Sequence, residues 1–556
     1  MLTYDMGQRG ELPLYDFLYR CIRDDIVRGI IAADERLPSK RSLADHLGIS
    51  IITVEGAYRQ LVAEGYVQAR ERRGYYVCDI PKGLAPRIGG RLATSATHAP
   101  THISAHTETP MLSDGNNWSN TRGGTASSIN ATNFIDGARS SNTASLFNIA
   151  SVIDTANANT PSSANDQKYS AVPLADFRGN AAGAGALPYE GWAQATRAVL
   201  SEEGANSLLA ASSGQGSHRL RQAICAHLRG FRGMDVDPNQ ILIAAGSQYL
   251  YQLIVQLTGR DREIALETPG YPRLQHIYKA MGVHTQPLPL TEEGMSLSAL
   301  RASTCDTAHV MPSHQFPTGQ AMGIAARYDL LSWAAQDAHR LIIEDDYDCE
   351  FRLAGRPLPT LASIDTLGQV IYLNTFAKTL GAGLRIGYAV LPVHWMQRYH
   401  DQLGFYACTV GALDQLVLAH FMESGAFERH INRLRARYRT VQDALVSALR
   451  ASSIAPRLRL KSLDAGINFL MGITRVNEEA FAQSASEQGI LLDPLSRFNL
   501  GISSLISEDI AAINDDAEIT NESTSTAWFV MNYTMISIES IPQVVEALER
   551  TVSTKG

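Results

Sequence analysis

Although hydrophobic residues make up 45% of this 556-residue chain, none of its apolar runs approaches the ~20 residues a membrane-spanning helix needs. That absence leaves no candidate for a membrane-spanning helix. Met1 to Glu11 is polar and charged where a secretory signal would be apolar, so a cytoplasmic protein without a membrane partner is expected. Cysteine is also scarce. Cys21, Cys78, Cys225, Cys305, Cys349 and Cys408 stand apart, with no CxxC pair and no histidine cluster beside them, which argues against a disulfide framework and against any metal site. Positive charge is short too: the formal net charge is −8, so binding to nucleic acid has to rest on a local basic patch. The length exceeds what one core can organise, so two or more domains are expected.

Three compositional zones follow one another. Residues 10–80 have helical periodicity with sharp boundaries and read as a small first domain. Residues 81–170 are dominated by Ser, Thr, Asn, Ala and Gly with few charges, and so read as a flexible linker unable to offset its ordering entropy. Its one apolar patch, Leu146 to Ile153, reads as transient structure or a short docking helix. From 171 to 556, strand-like runs such as Gln240 to Ala244, Leu341 to Ile343 and Val370 to Leu373 alternate with helical patterns such as Ser247 to Leu257. That alternation predicts an α/β architecture on a largely parallel sheet. An acidic polar tract at 507–526 reads as a mobile surface insertion.

In the first domain, Leu14, Leu18, Ile22 and Ile26 repeat at helical spacing and predict one buried stripe, after which Gly29 lets the chain turn. Ser39 is placed to cap a second helix, Gly48 to turn the chain, and Ser50 to cap a third helix through Leu61. Two short helices joined by a glycine turn place the second in a DNA major groove. Glu64 to Val67 and Gly74 to Val77 then predict a two-stranded wing around Arg70, Arg72 and Arg73, arginines suited to clamping phosphates or entering the minor groove.

These residues, 12 to 78, closely resemble the GntR-type winged helix-turn-helix. Carried over by position, the resemblance implies double-stranded DNA as partner, with Arg41, Ser50, Thr53 and Tyr58 in contact and Gly74 shaping the wing tip. Ile51 departs from the pattern, because relatives often carry arginine just after the capping serine.

The large region carries chemistry. Leu341-Ile342-Ile343 is a buried strand with Glu344-Asp345-Asp346-Tyr347 at its carboxyl end, and Val370 to Leu373 is another, leading to Thr375 and Lys378. Ligands of α/β sheets bind at the carboxyl ends of strands, so an acid and a lysine can meet over one pocket. A lysine can hold an aldehyde cofactor as a Schiff base, a carboxylate can keep a pyridine nitrogen protonated, and Thr375 with Arg385 can bind a phosphate. Taken singly, each of these charges is better read as a strand-end surface charge. Taken together they are not.

Residues 171 to 556 resemble a fold-type I aminotransferase, whose cofactor is pyridoxal 5′-phosphate. Gly246-Ser247-Gln248 resembles the phosphate-binding turn at a helix N-terminus, Tyr271 the aromatic stacked on the pyridine ring, Asp345 the pyridine partner and Tyr347 a ring-hydroxyl contact. Lys378 matches the Schiff-base lysine, and Thr375 and Arg385 match phosphate ligands. Two departures weaken an enzyme reading. Phe316 stands where aminotransferases have asparagine, and the last strand, Thr526 to Met531, lacks the arginine that holds a substrate carboxylate, leaving Arg273 and Arg497 as candidates to bind an effector.

The combination is identified as the layout of the MocR/GabR family of transcriptional regulators: a small α/β winged helix-turn-helix joined to a large α/β aminotransferase-like domain. It implies a head-to-tail homodimer, each head on the partner's large domain, and an amine, amino acid or pyridoxal phosphate itself sensed through an aldimine at Lys378. An active aminotransferase carrying a DNA-binding head is the alternative, and a large domain serving only dimerisation a third reading.

Overall fold

The computed structural model describes residues 2–4, 6–9, 13–70, 73–78, 173–179, 187–204, 208, 213–352, 358–463, 466–501 and 526–553. The expected linker at 81–170, Arg72 and the acidic tract up to residue 525 lie outside the described residues. Thr526, the last residue of that tract, is already in a strand, where it pairs with Thr474.

The head is built from α1 (Leu14–Val27), α2 (Lys40–Leu47), α3 (Ile51–Ala63) and the antiparallel pair β1 (Val67–Arg70) and β2 (Gly74–Val77). Leu18, Ile22 and Ile26 are buried, as the stripe predicted. Ser39 Oγ accepts from Ser42 N at 3.1 Å, Gly48 ends α2 at φ 64°, and Ser50 Oγ accepts from Thr53 N at 3.1 Å, so both caps form. The wing starts later than expected: Glu64 closes α3 and Gly65 turns at φ 77°, leaving Val67 as the first strand residue.

The large domain is organised on an eight-stranded sheet in the order β4 (Ile241–Ala244), β11 (Gly387–Val390), β10 (Val370–Thr375), β9 (Leu341–Asp345), β8 (Thr307–Val310), β5 (Glu263–Thr268), β6 (His284–Thr291), β7 (Gly294–Met295). Its centre is parallel, while β11 runs antiparallel to both neighbours and β7 antiparallel to β6. Strands β4, β8, β9, β10 and β11 are buried along their whole length, which accounts for their reading as continuous apolar runs. A smaller antiparallel sheet, β12 (Leu458–Lys461), β13 (Asn468–Thr474), β16 (Thr526–Asn532) and β15 (Asp493–Pro494), packs with the long helix Ala426–Ala451 and the last helix, Ile541–Ser553, over a separate core. Between them, β3 (Ala175–Asp176) pairs with β14 (Ile490–Leu491) in parallel.

Head and large domain share one apolar cluster within the chain, in which Tyr19, Leu61, Tyr66 and Val77 of the head join Ile324, Tyr328 and Leu331 of the helix Ile324–Ala335. A methyl on Gly65 would lie 3.6 Å from Ile324 Cγ2, so the turn after α3 rests directly on the start of that helix. Glu64 is buried nearby and accepts hydrogen bonds from Tyr19 and Gln60. In the single chain, then, the head sits on its own large domain, whereas the family resemblance implies the partner's. Among the described residues no helix is long and apolar enough to cross a membrane.

Candidate functional site

Strand alternation separates the three consecutive acids at the end of β9. Glu344 is fully buried, 3.7 Å from the equally buried Arg327, and accepts from Leu361 N and Ala362 N at 2.9 Å. Asp346 pairs with Arg232 at 2.8 Å and accepts from Tyr372 Oη at 2.8 Å. Asp345, between them, points the other way into a pocket. Tyr251 Oη donates to its Oδ2 and His309 Nε2 lies 3.7 Å from the same oxygen, while Oδ1 is buried without a hydrogen-bond partner. A buried carboxylate oxygen left unpaired is costly unless a ligand donates to it.

Gly246, Ser247, Gln248, Tyr271, Tyr347, Thr375, Lys378 and Arg385 line that same pocket with Asp345. Ser247 opens the helix Ser247–Thr258, so its first backbone N–H groups face the cavity with the positive end of the helix dipole. Gly246 precedes it at φ 78°, and a methyl there would lie 3.1 Å from the Arg385 guanidinium. Glycine thus lets the guanidinium close over the helix start. Arg385 itself is held in the left-handed region at φ 50° and donates to Ala245 O at 3.2 Å. An arginine fork, a threonine hydroxyl and a helix N-terminus are groups that can hold an anion such as a phosphate.

Lys378 follows β10 in the short helix Ala377–Leu380 and is only 7% exposed. Burial pulls its amine down to about 8, against the opposing pull of Asp348 and Asp345. Its Nζ lies 5.8 Å from the centre of the Tyr347 ring. Tyr347 Oη is 3.0 Å from His314 Nδ1, which is 2.7 Å from Asp348 Oδ2. Phe316 meets Tyr271, Tyr347 and Phe498 edge-on, at 5.8, 6.4 and 5.3 Å between ring centres. At its position the pocket gains an apolar wall and loses an amide donor.

The two arginines expected for an effector part company. Arg273 lines the pocket beside Tyr271. Arg497 is not among the lining residues; it is exposed and pairs with Asp493 at 3.0 Å. Sequence reasoning missed Tyr251 and His309. Tyr251 stands one helical turn after Ser247, a spacing that signals a shared face, whereas nothing local marks His309.

The head presents a second surface. Arg41 in α2 is exposed, as is Arg73 at the wing turn. Ser50 and Thr53 stand together in the first turn of α3, their hydroxyl oxygens 2.8 Å apart. Gly74 takes φ 108°, and a methyl there would lie 3.2 Å from Arg36 Nε. Arg70 pairs with Asp34 at 2.5 Å and lies over the Tyr76 ring. Tyr58 is a correction: it is 0% exposed, donates to Pro38 O at 2.8 Å and packs edge-on against Tyr75, so it is a core residue and not a DNA contact.

Comparison with known proteins covers both regions. The family described as aminotransferase class I and II matches residues 179–512, and the bacterial regulatory proteins of the gntR family match residues 14–77. The chain is 30% identical over 496 residues to the uncharacterized HTH-type transcriptional regulator YdeL of Bacillus subtilis, covering 89% of this chain and 92% of that one. It is 29% identical to the probable rhizopine catabolism regulatory protein MocR of Rhizobium meliloti, covering 89% of each. It is also 29% identical to the pyridoxine biosynthesis transcriptional regulator PdxR of Corynebacterium glutamicum, covering 86% of this chain and 87% of that one. Among solved structures, the multiple substrate aminotransferase of Thermococcus profundus aligns with a TM-score of 0.59 at 21% identity, over 70% of this chain and 93% of its own. That family's fold is one that typically binds pyridoxal phosphate. The chain thus belongs to the MocR/GabR family of transcriptional regulators, a GntR-type winged helix-turn-helix followed by a fold-type I aminotransferase domain.

Proposed function

We propose that the protein regulates transcription by binding pyridoxal 5′-phosphate at Lys378 and an amine or amino acid beside it, the effector changing how the head of residues 10–80 holds DNA. The observation that carries this reading is Asp345 Oδ1, buried and unpaired in the pocket that also holds a depressed lysine and an arginine-capped helix start. An unpaired carboxylate oxygen fits a protonated pyridine nitrogen, the helix start with Arg385 and Thr375 fits a phosphate, and the Tyr271 ring fits one face of a flat heterocycle. When bound, the cofactor supplies an aldehyde carbon for amines and a ring that withdraws electrons.

The protein's own groups divide the remaining work. Lys378 is the attachment point. Tyr251 and His309 hold Asp345 in place, and Arg273 offers a fork for an effector carboxylate. Sensing is favoured over turnover because, of the two arginines lining the pocket among the described residues, Arg385 serves the phosphate end and only Arg273 is left for a carboxylate: β16 has no arginine and Arg497, paired with Asp493, does not line the pocket. Without such a clamp a substrate is poorly oriented, and orientation supplies much of a rate. Relatives named for rhizopine catabolism and pyridoxine biosynthesis leave both an amine and the cofactor itself as effector classes. We place the protein in the cytoplasm as a homodimer with heads exchanged between partners.

Adding pyridoxal phosphate to the purified protein should produce a visible absorbance band that is absent in Lys378→Ala, and amines should then shift the band and the affinity for DNA together. No band in the unaltered protein would sink the reading. Repeated turnover with a keto acid would instead favour an active aminotransferase with a DNA-binding head.

A further inference from the structure

The first turn of α3 exposes two large apolar side chains, Ile51 at 43% and Ile52 at 80%. Neither is needed to hold the helix down. Val54, Ala57, Tyr58 and Leu61, all 0% exposed, supply its inward stripe, and its far end, at Gln60 and Glu64, is buried towards the large domain. The amino-terminal turn is therefore the outward end of the second helix of a helix-turn-helix.

The polar groups around these isoleucines are already engaged. Thr53 Oγ1 is 2.8 Å from Ser50 Oγ, and Glu55 pairs with Lys40 at 3.0 Å and with Arg59 at 3.7 Å. This turn offers a base edge neither an amide nor a guanidinium, the groups that read adenine and guanine. The head also exposes Arg41 in α2 and Arg73 at the wing turn, cations suited to holding phosphates. Two exposed side chains are too small an area for a protein interface. The apolar group that a DNA major groove presents is the C5 methyl of thymine.

We infer that Ile51 and Ile52 are specificity determinants that read thymine methyl groups in the major groove. This rests on the DNA-binding reading above. Where an arginine in that turn would select guanine, this chain selects thymine by burying a methyl against a branched aliphatic side chain. Ile51→Arg should accordingly move the preference at its contact position towards guanine.

The test uses the full-length protein and duplexes enriched from a random-sequence library. Each thymine of the enriched duplex is replaced in turn by deoxyuridine, which keeps every hydrogen-bonding group and lacks only the methyl. At one or two positions per half-site the replacement should weaken binding about fourfold or more, the scale of one buried methyl group. Ile52→Ala, a change at an exposed site that leaves the fold intact, should bind thymine and deoxyuridine duplexes alike at one of those positions. Tight binding of the enriched duplex with no loss on any deoxyuridine replacement overturns the inference and leaves the DNA-binding reading standing. Failure to enrich any duplex overturns both.

Discussion

Lys378 must lose its proton before it can attack an aldehyde carbon, so its acidity sets the pH at which the site can be loaded. An exposed lysine titrates near 10.4; burial brings this one to about 8. Uptake of pyridoxal phosphate by cofactor-free protein should rise as pH increases through about 8 and level off above it, read from the appearance of the visible band. Asp348 is the first charge opposing that shift, so Asp348→Asn should move the profile to lower pH. The same acidity has a sign for stability. Between the folded value and the higher unfolded one, only the unfolded chain holds the proton, so this lysine's burial penalty is full at low pH and is relieved as pH rises through that window. Tyr251 acts on a different atom. Tyr251→Phe leaves Asp345 Oδ2 facing only His309, and a lost hydrogen bond to a charged group should weaken cofactor binding about tenfold or more in a titration.

At the scale of elements, the site's legibility follows sequence distance. Lys378, Thr375 and Asp345 sit at strand ends that read directly as apolar runs followed by functional groups, so their convergence was visible in the chain. His309 reaches Asp345 because β8 lies beside β9, with His309 opposite Ile343, and strand order is not written in hydrophobic periodicity. The antiparallel course of β11 was hidden for the same reason. Tyr58 is a different kind of miss. With Val54, Ala57 and Leu61 it completes an i, i+3, i+4, i+7 stripe, a core signature that outweighs a positional analogy with DNA contacts. The helix Ile324–Ala335 depends on a polar feature that no periodicity reveals. Arg327 pairs with Glu344 and donates to the carbonyls of Met322, Pro359 and Pro312, at 3.0, 2.9 and 2.7 Å. Arg327→Ala strands a buried carboxylate and three carbonyls, and should cost about 3–5 kcal/mol in urea unfolding.

For the whole molecule, the decisive contact is the one between Gly65 and Ile324, because it joins the DNA-binding head to the helix whose Arg327 braces the acid next to Asp345. Nothing in the sequence marks Ile324 as a docking residue. The same complementary surfaces can close within a chain or between two chains, since exchange of an element between identical partners preserves every contact it makes. The proposed homodimer takes the second course, and a cysteine pair decides it. A methyl at Gly65 would be 3.6 Å from the Ile324 side chain, so Gly65→Cys with Ile324→Cys brings two thiols within bonding reach, and the positive φ at 65 makes the first change cost on the order of 1 kcal/mol. Under mild oxidation the double variant should run as a covalent dimer on a non-reducing gel, and neither single variant should. A crosslinked species of one chain's mass, with altered mobility and no dimer band, would show that each head stays on its own large domain. Any effect of the effector on DNA would then have to pass within one chain, from the Lys378 pocket to the head.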